Sequence, residues 1–114
     1  MKRSAIHLRG SLLAGLLALG FTGSSVALDA DDAKKLAKKS GCLKCHSIDK
    51  KKDAPPLKEI AAKYKDKADA RDTLFTHLTT NPTVEVDGNK EKHESLKTDD
   101  EAEIRNVIEW VLSQ

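Results

Sequence analysis

The sequence predicts an all-α domain. Apolar residues recur at helical spacing in four separate segments, turn-forming residues punctuate the gaps, and no stretch shows sustained apolar–polar alternation. The first 27 of the 114 residues stand apart from that pattern. Lys2, Arg3 and Arg9 precede an apolar run from Gly10 to Phe21, and Ser25-Val26-Ala27 supplies small residues of the kind a signal peptidase cuts after. A run of this length is too short to span a bilayer as a mature helix, which takes about 20 residues. Residues 1–27 are therefore expected to be a cleaved signal peptide, with a single domain over residues 28–114. Retention as a membrane anchor is the other possibility, and the expectation is no stable membrane insertion after cleavage.

The four helices follow in order. Leu28 to Ser40 has Asp29, Asp31 or Asp32 as a capping acid, an apolar face of Ala33, Leu36 and Ala37, and Lys34, Lys35, Lys38 and Lys39 around it. Gly41 allows another backbone to approach closely. After the lysine-rich segment from Ser47 to Asp53, Pro55-Pro56 stiffens the chain, and Pro56 begins a helix carrying Leu57, Ile60, Ala61 and Tyr64. Asp69 to Leu78 is the third, with Leu74, Phe75 and Leu78 on its apolar side. Residues 79–97 read as a loop marked by Asn81-Pro82 and Asp87-Gly88-Asn89, in which Val84 and Val86 form at most a brief extended piece. Thr98-Asp99-Asp100-Glu101 reads as a capping box opening the last helix, whose stripe is Ile104, Val107, Ile108, Val111 and Leu112 with Trp110 beside it.

The chemistry is concentrated in Cys42-Leu43-Lys44-Cys45-His46. Two thiols three positions apart with a histidine directly after the second form the attachment signature of a c-type haem. One helical turn brings both sulfurs to the same face, where they reach the two vinyl groups of one porphyrin. Other readings of a C-x-x-C pair fit less well. A redox dithiol expects a preceding strand and a βαβ context, a zinc site needs a second ligand pair that the chain lacks, and a structural disulfide leaves His46 without a role.

The signal peptide, helix, C-x-x-C-H sequence, proline-bearing loop and capped terminal helix together resemble the class I cytochromes c, most of all the short bacterial monohaem subgroup. Gly41 to Asp49, Pro55, Lys58 to Tyr64, Asp99 to Glu101 and Glu109 to Gln114 carry the resemblance. It implies one covalent haem c held by thioethers at Cys42 and Cys45, with His46 as the proximal iron ligand. The Pro55 carbonyl would accept from the other ring nitrogen of His46, a bond that fixes the tautomer. Ile104, Val107, Trp110 and Val111 would pack on the first helix near Gly41.

The family usually places a methionine opposite the histidine, but the only methionine here is Met1. His93 lies in the corresponding loop, five residues before Thr98, and imidazole is a good iron ligand. His46/His93 ligation is therefore expected, with His77, Lys90, Lys92 or an open position as the competing assignments. In the family, the region of His77 holds a basic residue facing a haem propionate, and that is the role expected for His77.

Both axial positions filled leaves no place for substrate, so the expected function is one-electron transfer by a soluble periplasmic carrier in a bacterium, not catalysis. Two imidazoles imply a lower potential than a histidine–methionine pair. Without residues 1–27 the chain carries 17 basic and 18 acidic residues, which removes any footing for nucleic-acid binding. Residues 34–67 nevertheless hold twelve lysines against Asp49, Asp53, Glu59 and Asp66. Redox partner proteins with acidic docking surfaces are expected, with a solvated helix face as the plainer account of Lys34 to Lys39, and the protein is expected to be a monomer. If the distal bond is labile, a small-gas-binding or sensing haem is the alternative, as is a haem subunit of a larger oxidoreductase.

Overall fold

The computed structural model of the protein describes Gly20 and residues 28–114, so the expected leader and its cleavage site lie, Gly20 apart, outside the described residues. Among the described residues, five helices and one hairpin follow in the order α1 (Ala30–Lys39), α2 (Cys42–Cys45), α3 (Leu57–Tyr64), α4 (Ala70–Thr79), β1 (Thr83–Val86), β2 (Asn89–Lys92) and α5 (Glu101–Leu112).

Helix α5 is the centre of the packing, touching α1, α3 and α4. Its stripe of Ile104, Val107, Ile108 and Trp110 is buried, and Ala33 and Ala37 of α1 meet the same core. Alanine at those two positions leaves little side chain between the helices. The N-terminal end of α1 is tied across to α5 by two hydrogen bonds, from Asp29 N–H to Asn106 Oδ1 (2.9 Å) and from Asn106 Nδ2 to the Asp29 carbonyl (2.8 Å). On the outer side Arg71 of α4 grips Glu109 of α5 through both carboxylate oxygens, a geometry that the planar guanidinium favours.

Asp29 caps α1, accepting from Asp32 N–H at 3.0 Å. The cap of α5 differs from the expected box. Asp100 rather than Thr98 is the N-cap, its carboxylate accepting from Ala102 and Glu103 N–H, while Thr98 Oγ1 accepts from Asp100 N–H and donates to Glu103. With two acids after the threonine, the stronger acceptor next to the first helical turn takes the cap. Gly41 also serves differently from expectation. It lies at φ +84°, the left-handed conformation that lets α1 end and α2 start without a longer turn, and a Cβ there would meet nothing closer than the Lys44 side chain at 3.9 Å. Ser40, 98 % buried, accepts from Lys97 N–H through its hydroxyl at 2.8 Å, pinning the approach to α5 against the end of α1.

The segment expected as an irregular loop holds an antiparallel hairpin, with Thr83 opposite Lys92 and Val86 opposite Asn89. Its two-residue turn puts both Asp87 (φ +51°) and Gly88 (φ +81°) in the left-handed region, which suits the right-handed twist of the flanking strands. Asp100→Ala is expected to cost about 1 kcal/mol of folding stability and Thr98→Ala less, measured by chemical denaturation of the haem-loaded protein.

Candidate functional site

One wall of the site comes from a tight local fold. Cys42 and Cys45 begin and end the single turn of α2, and no disulfide joins them. Cys42 is half-buried and burial pushes its thiol above the ordinary range, whereas Cys45 is exposed. His46 leaves the turn in an extended conformation, its N–H still donating to the Cys42 carbonyl at 2.9 Å. The following segment folds back, with Ala54 N–H on the Cys45 carbonyl and Leu57 N–H on the Ser47 carbonyl. That return places the Pro55 carbonyl 2.7 Å from His46 Nδ1. A carbonyl only accepts, so Nδ1 carries the proton and Nε2 keeps its lone pair free for a metal.

The opposite wall comes from the hairpin base. His93 follows the last residue of β2, and its backbone is held on both sides. Its N–H donates to the Pro82 carbonyl at 2.8 Å and its carbonyl accepts from Asn81 Nδ2 at 2.9 Å. Asn81 itself adopts φ +48° just past the cap of α4, so one residue both stops the helix and fixes His93. Leu96, buried in the core, is tied by its N–H to the Leu78 carbonyl at the end of the same helix. Neither the hairpin clamp nor Leu96 was anticipated from sequence, although Asp-Gly between alternating residues is a hairpin signal.

The two walls face each other. The rings of His46 and His93 have centres 6.2 Å apart at an interplanar angle of 54°. They share an apolar slot with Cys42, Ile60, Leu74, Leu78 and Val111. His77 of α4 also lines the slot, its ring centre 4.3 Å from that of His93. His93 Nδ1 is buried with no hydrogen-bond partner, an arrangement that in a native protein calls for an explanation such as a missing ligand. Burial first, and then the charge of the neighbouring histidines, holds both His77 and His93 below the usual imidazole range. Both are thus neutral at neutral pH, the form that binds metal. Larger surface depressions, one of about 730 Å³ beside α5 and Arg71 of α4 and one of about 600 Å³ between α1 and α5, contain no histidine or cysteine. Among the described residues no cluster of three or more metal-binding side chains is arranged to hold a bare ion.

These residues fit a haem. With a metal–imidazole bond of about 2.0 Å and about 1.1 Å from nitrogen to ring centre, two imidazoles on opposite sides of one iron lie about 6.2 Å apart between centres. The observed His46–His93 separation agrees with that value, and the surrounding surface is apolar.

Helices folded over an apolar slot, with a C-x-x-C-H turn forming one wall, place the chain among small helical haem domains. The family model described as Cytochrome c matches residues 30–114, and the chain belongs to that family. It is similar to cytochrome c-551 of Stutzerimonas stutzeri, at 38 % identity over 90 % of this chain and 95 % of that protein. Among solved structures it is similar to the class 1 cytochrome MtoD from Sideroxydans lithotrophicus ES-1, at 41 % identity and TM-score 0.73 over 76 % of this chain and 97 % of the other. Cytochrome c552 of Nitrosomonas europaea is also similar, at 30 % identity and TM-score 0.55 over 70 % and 96 % of the two chains. The protein is an electron-transfer protein carrying one covalently attached haem c, and not an enzyme. No helix among the described residues is long and apolar enough to cross a membrane.

Because the His46 bond uses a main-chain carbonyl, Pro55→Ala is expected to leave the haem absorption spectrum unchanged and to lower stability by no more than about 1 kcal/mol. Loss of haem incorporation in that variant would contradict the assignment.

Proposed function

We propose that the protein is a periplasmic one-electron carrier whose haem iron is held between His46 and His93. The observation that carries the ligand assignment is the pair of facing imidazoles 6.2 Å apart in a chain whose only methionine is Met1. Cys42 and Cys45 hold the cofactor, each S–H adding across a vinyl C=C so that sulfur bonds one carbon and hydrogen the other, with no net oxidation. Two cysteines on one helical turn, with no disulfide between them, are what that addition requires. When bound, the haem supplies a one-electron Fe(III)/Fe(II) couple. The protein's own contribution is to fix two axial nitrogens and keep the slot apolar. With His46 held by its ring hydrogen bond and the His93 backbone clamped on both sides, both axial positions would be filled and electrons would enter and leave through the haem edge. Export to the periplasm rests on residues 1–27, read as a cleaved leader.

Lys34, Lys35, Lys38, Lys39, Lys44, Lys50, Lys51 and Lys52 are all exposed, in the half of the chain that carries the C-x-x-C-H turn. Such a field favours acidic redox partners and a transient, salt-sensitive encounter. Lys35 faces Asp32 at 3.5 Å, which tempers that field only locally because exposed pairs contribute little. Small-gas binding is the second reading, and it requires the His93 bond to open.

The oxidised protein is expected to give the low-spin EPR spectrum of bis-imidazole haem, and high-spin iron at neutral pH would refute the ligand pair. Substituting His93→Met is expected to raise the midpoint potential by a measurable part of the roughly 0.8 V that axial ligands span. Stopped-flow rates with an acidic acceptor protein should fall at least several-fold as ionic strength rises from about 0.01 to 0.1 M, where the Debye length shrinks from roughly 30 to 10 Å.

A further inference from the structure

We propose that His77 is a reserve axial ligand, able to replace His93 on the distal side of the iron and so keep the site closed when the His93 bond opens. The inference rests on the His46/His93 reading above. The centres of the His77 and His93 rings are 4.3 Å apart, well short of the separation that two imidazoles need on opposite sides of one iron, about 6.2 Å. His77 therefore stands beside His93 in the slot and not across an iron from it. His77 lines that slot beside Leu74 and Leu78 of its own helix.

No hydrogen bond joins His77 to a side chain or carbonyl that would hold it back among the described contacts. Its position in the last turn of α4 leaves rotation about its own side-chain bonds as the motion required. An imidazole confined to within about 5 Å of the iron's open position corresponds to an effective concentration on the order of 1 M, above the millimolar values of flexible tethers and below those of fully preorganised groups. At that concentration His77 outcompetes an external ligand present at millimolar levels unless the external ligand binds far more tightly. The distal bond can then break without the iron becoming five-coordinate. This distinguishes a guarded electron carrier from a gas-binding haem built on the same fold, and it gives His77 a role other than contact with a propionate.

The test compares wild type, His77→Ala, His93→Ala and the double variant by EPR of the oxidised protein and by carbon monoxide binding to the reduced protein. His93→Ala is expected to retain a low-spin bis-imidazole signal and to bind carbon monoxide at least tenfold more slowly than the double variant, which becomes high-spin. Added imidazole should return the double variant to low spin, showing that its pocket is intact. Should His93→Ala fail to fold, His93→Gln, which keeps the side-chain volume, is read in the same way. High-spin iron with rapid carbon monoxide binding in His93→Ala alone overturns the reserve role while leaving His46/His93 ligation in place. Loss of the bis-imidazole signal in His77→Ala with His93 intact overturns the ligand assignment itself. Should the double variant remain low-spin without added imidazole, a His93→Ala signal identical to that of the double variant overturns the reserve role, because the ligand then is not His77.

Discussion

The contact on which the rest of the molecule depends is the close approach of α1 to α5. Ala33 and Ala37 are almost completely buried because they let one helix lie against the Ile104, Val107 and Ile108 face of the other with little between them. Larger side chains there would push the helices apart, and everything fastened to the end of α1 would move with them. Ser40 terminates that helix and holds Lys97. Gly41 then redirects the chain at positive φ, so the helix pair sets where α2, with its two thiols and His46, begins.

The two sides of the site are built on different principles. His46 is positioned by short-range geometry: one helical turn, one return of the chain, one carbonyl nine residues away. His93 is positioned by an element that lies outside the helical core, a hairpin whose base is clamped to the end of α4 through Asn81 and Pro82. That clamp matters because a side chain in an unstructured loop carries a large ordering cost each time it binds. Here the backbone of His93 is already fixed, and only its side-chain torsions remain to be set.

Legibility in the sequence follows the same division. The helices, the thiols and His46 are local features, and periodicity and spacing reveal them to within two or three residues. The hairpin is less visible because β2 is Asn-Lys-Glu-Lys, exposed throughout, and offers no apolar alternation to match Val84 and Val86. Its turn pair Asp87-Gly88 was the available signal, and it reads equally as a loop when only one strand is persuasive. The cap of α5 moved from Thr98 to Asp100 because three consecutive acids blur where the first turn starts. The roles of Ser40 and Leu96 and the meeting of His77 with His93 depend on contacts between distant segments, which no local pattern encodes.

The hydrogen-bonded pair Asp29 and Asn106 joins residues 77 positions apart. Most of residues 28–114 must be looped before that contact can form, and the α1–α5 interface with it. Non-local contacts of this kind slow folding because loop closure precedes the contacts that compensate it. The half-site around Cys42 to Pro55 closes over far shorter distances. The half-site that carries the C-x-x-C-H turn can thus close in a largely open chain, whereas docking of the terminal helix requires the long loop to close.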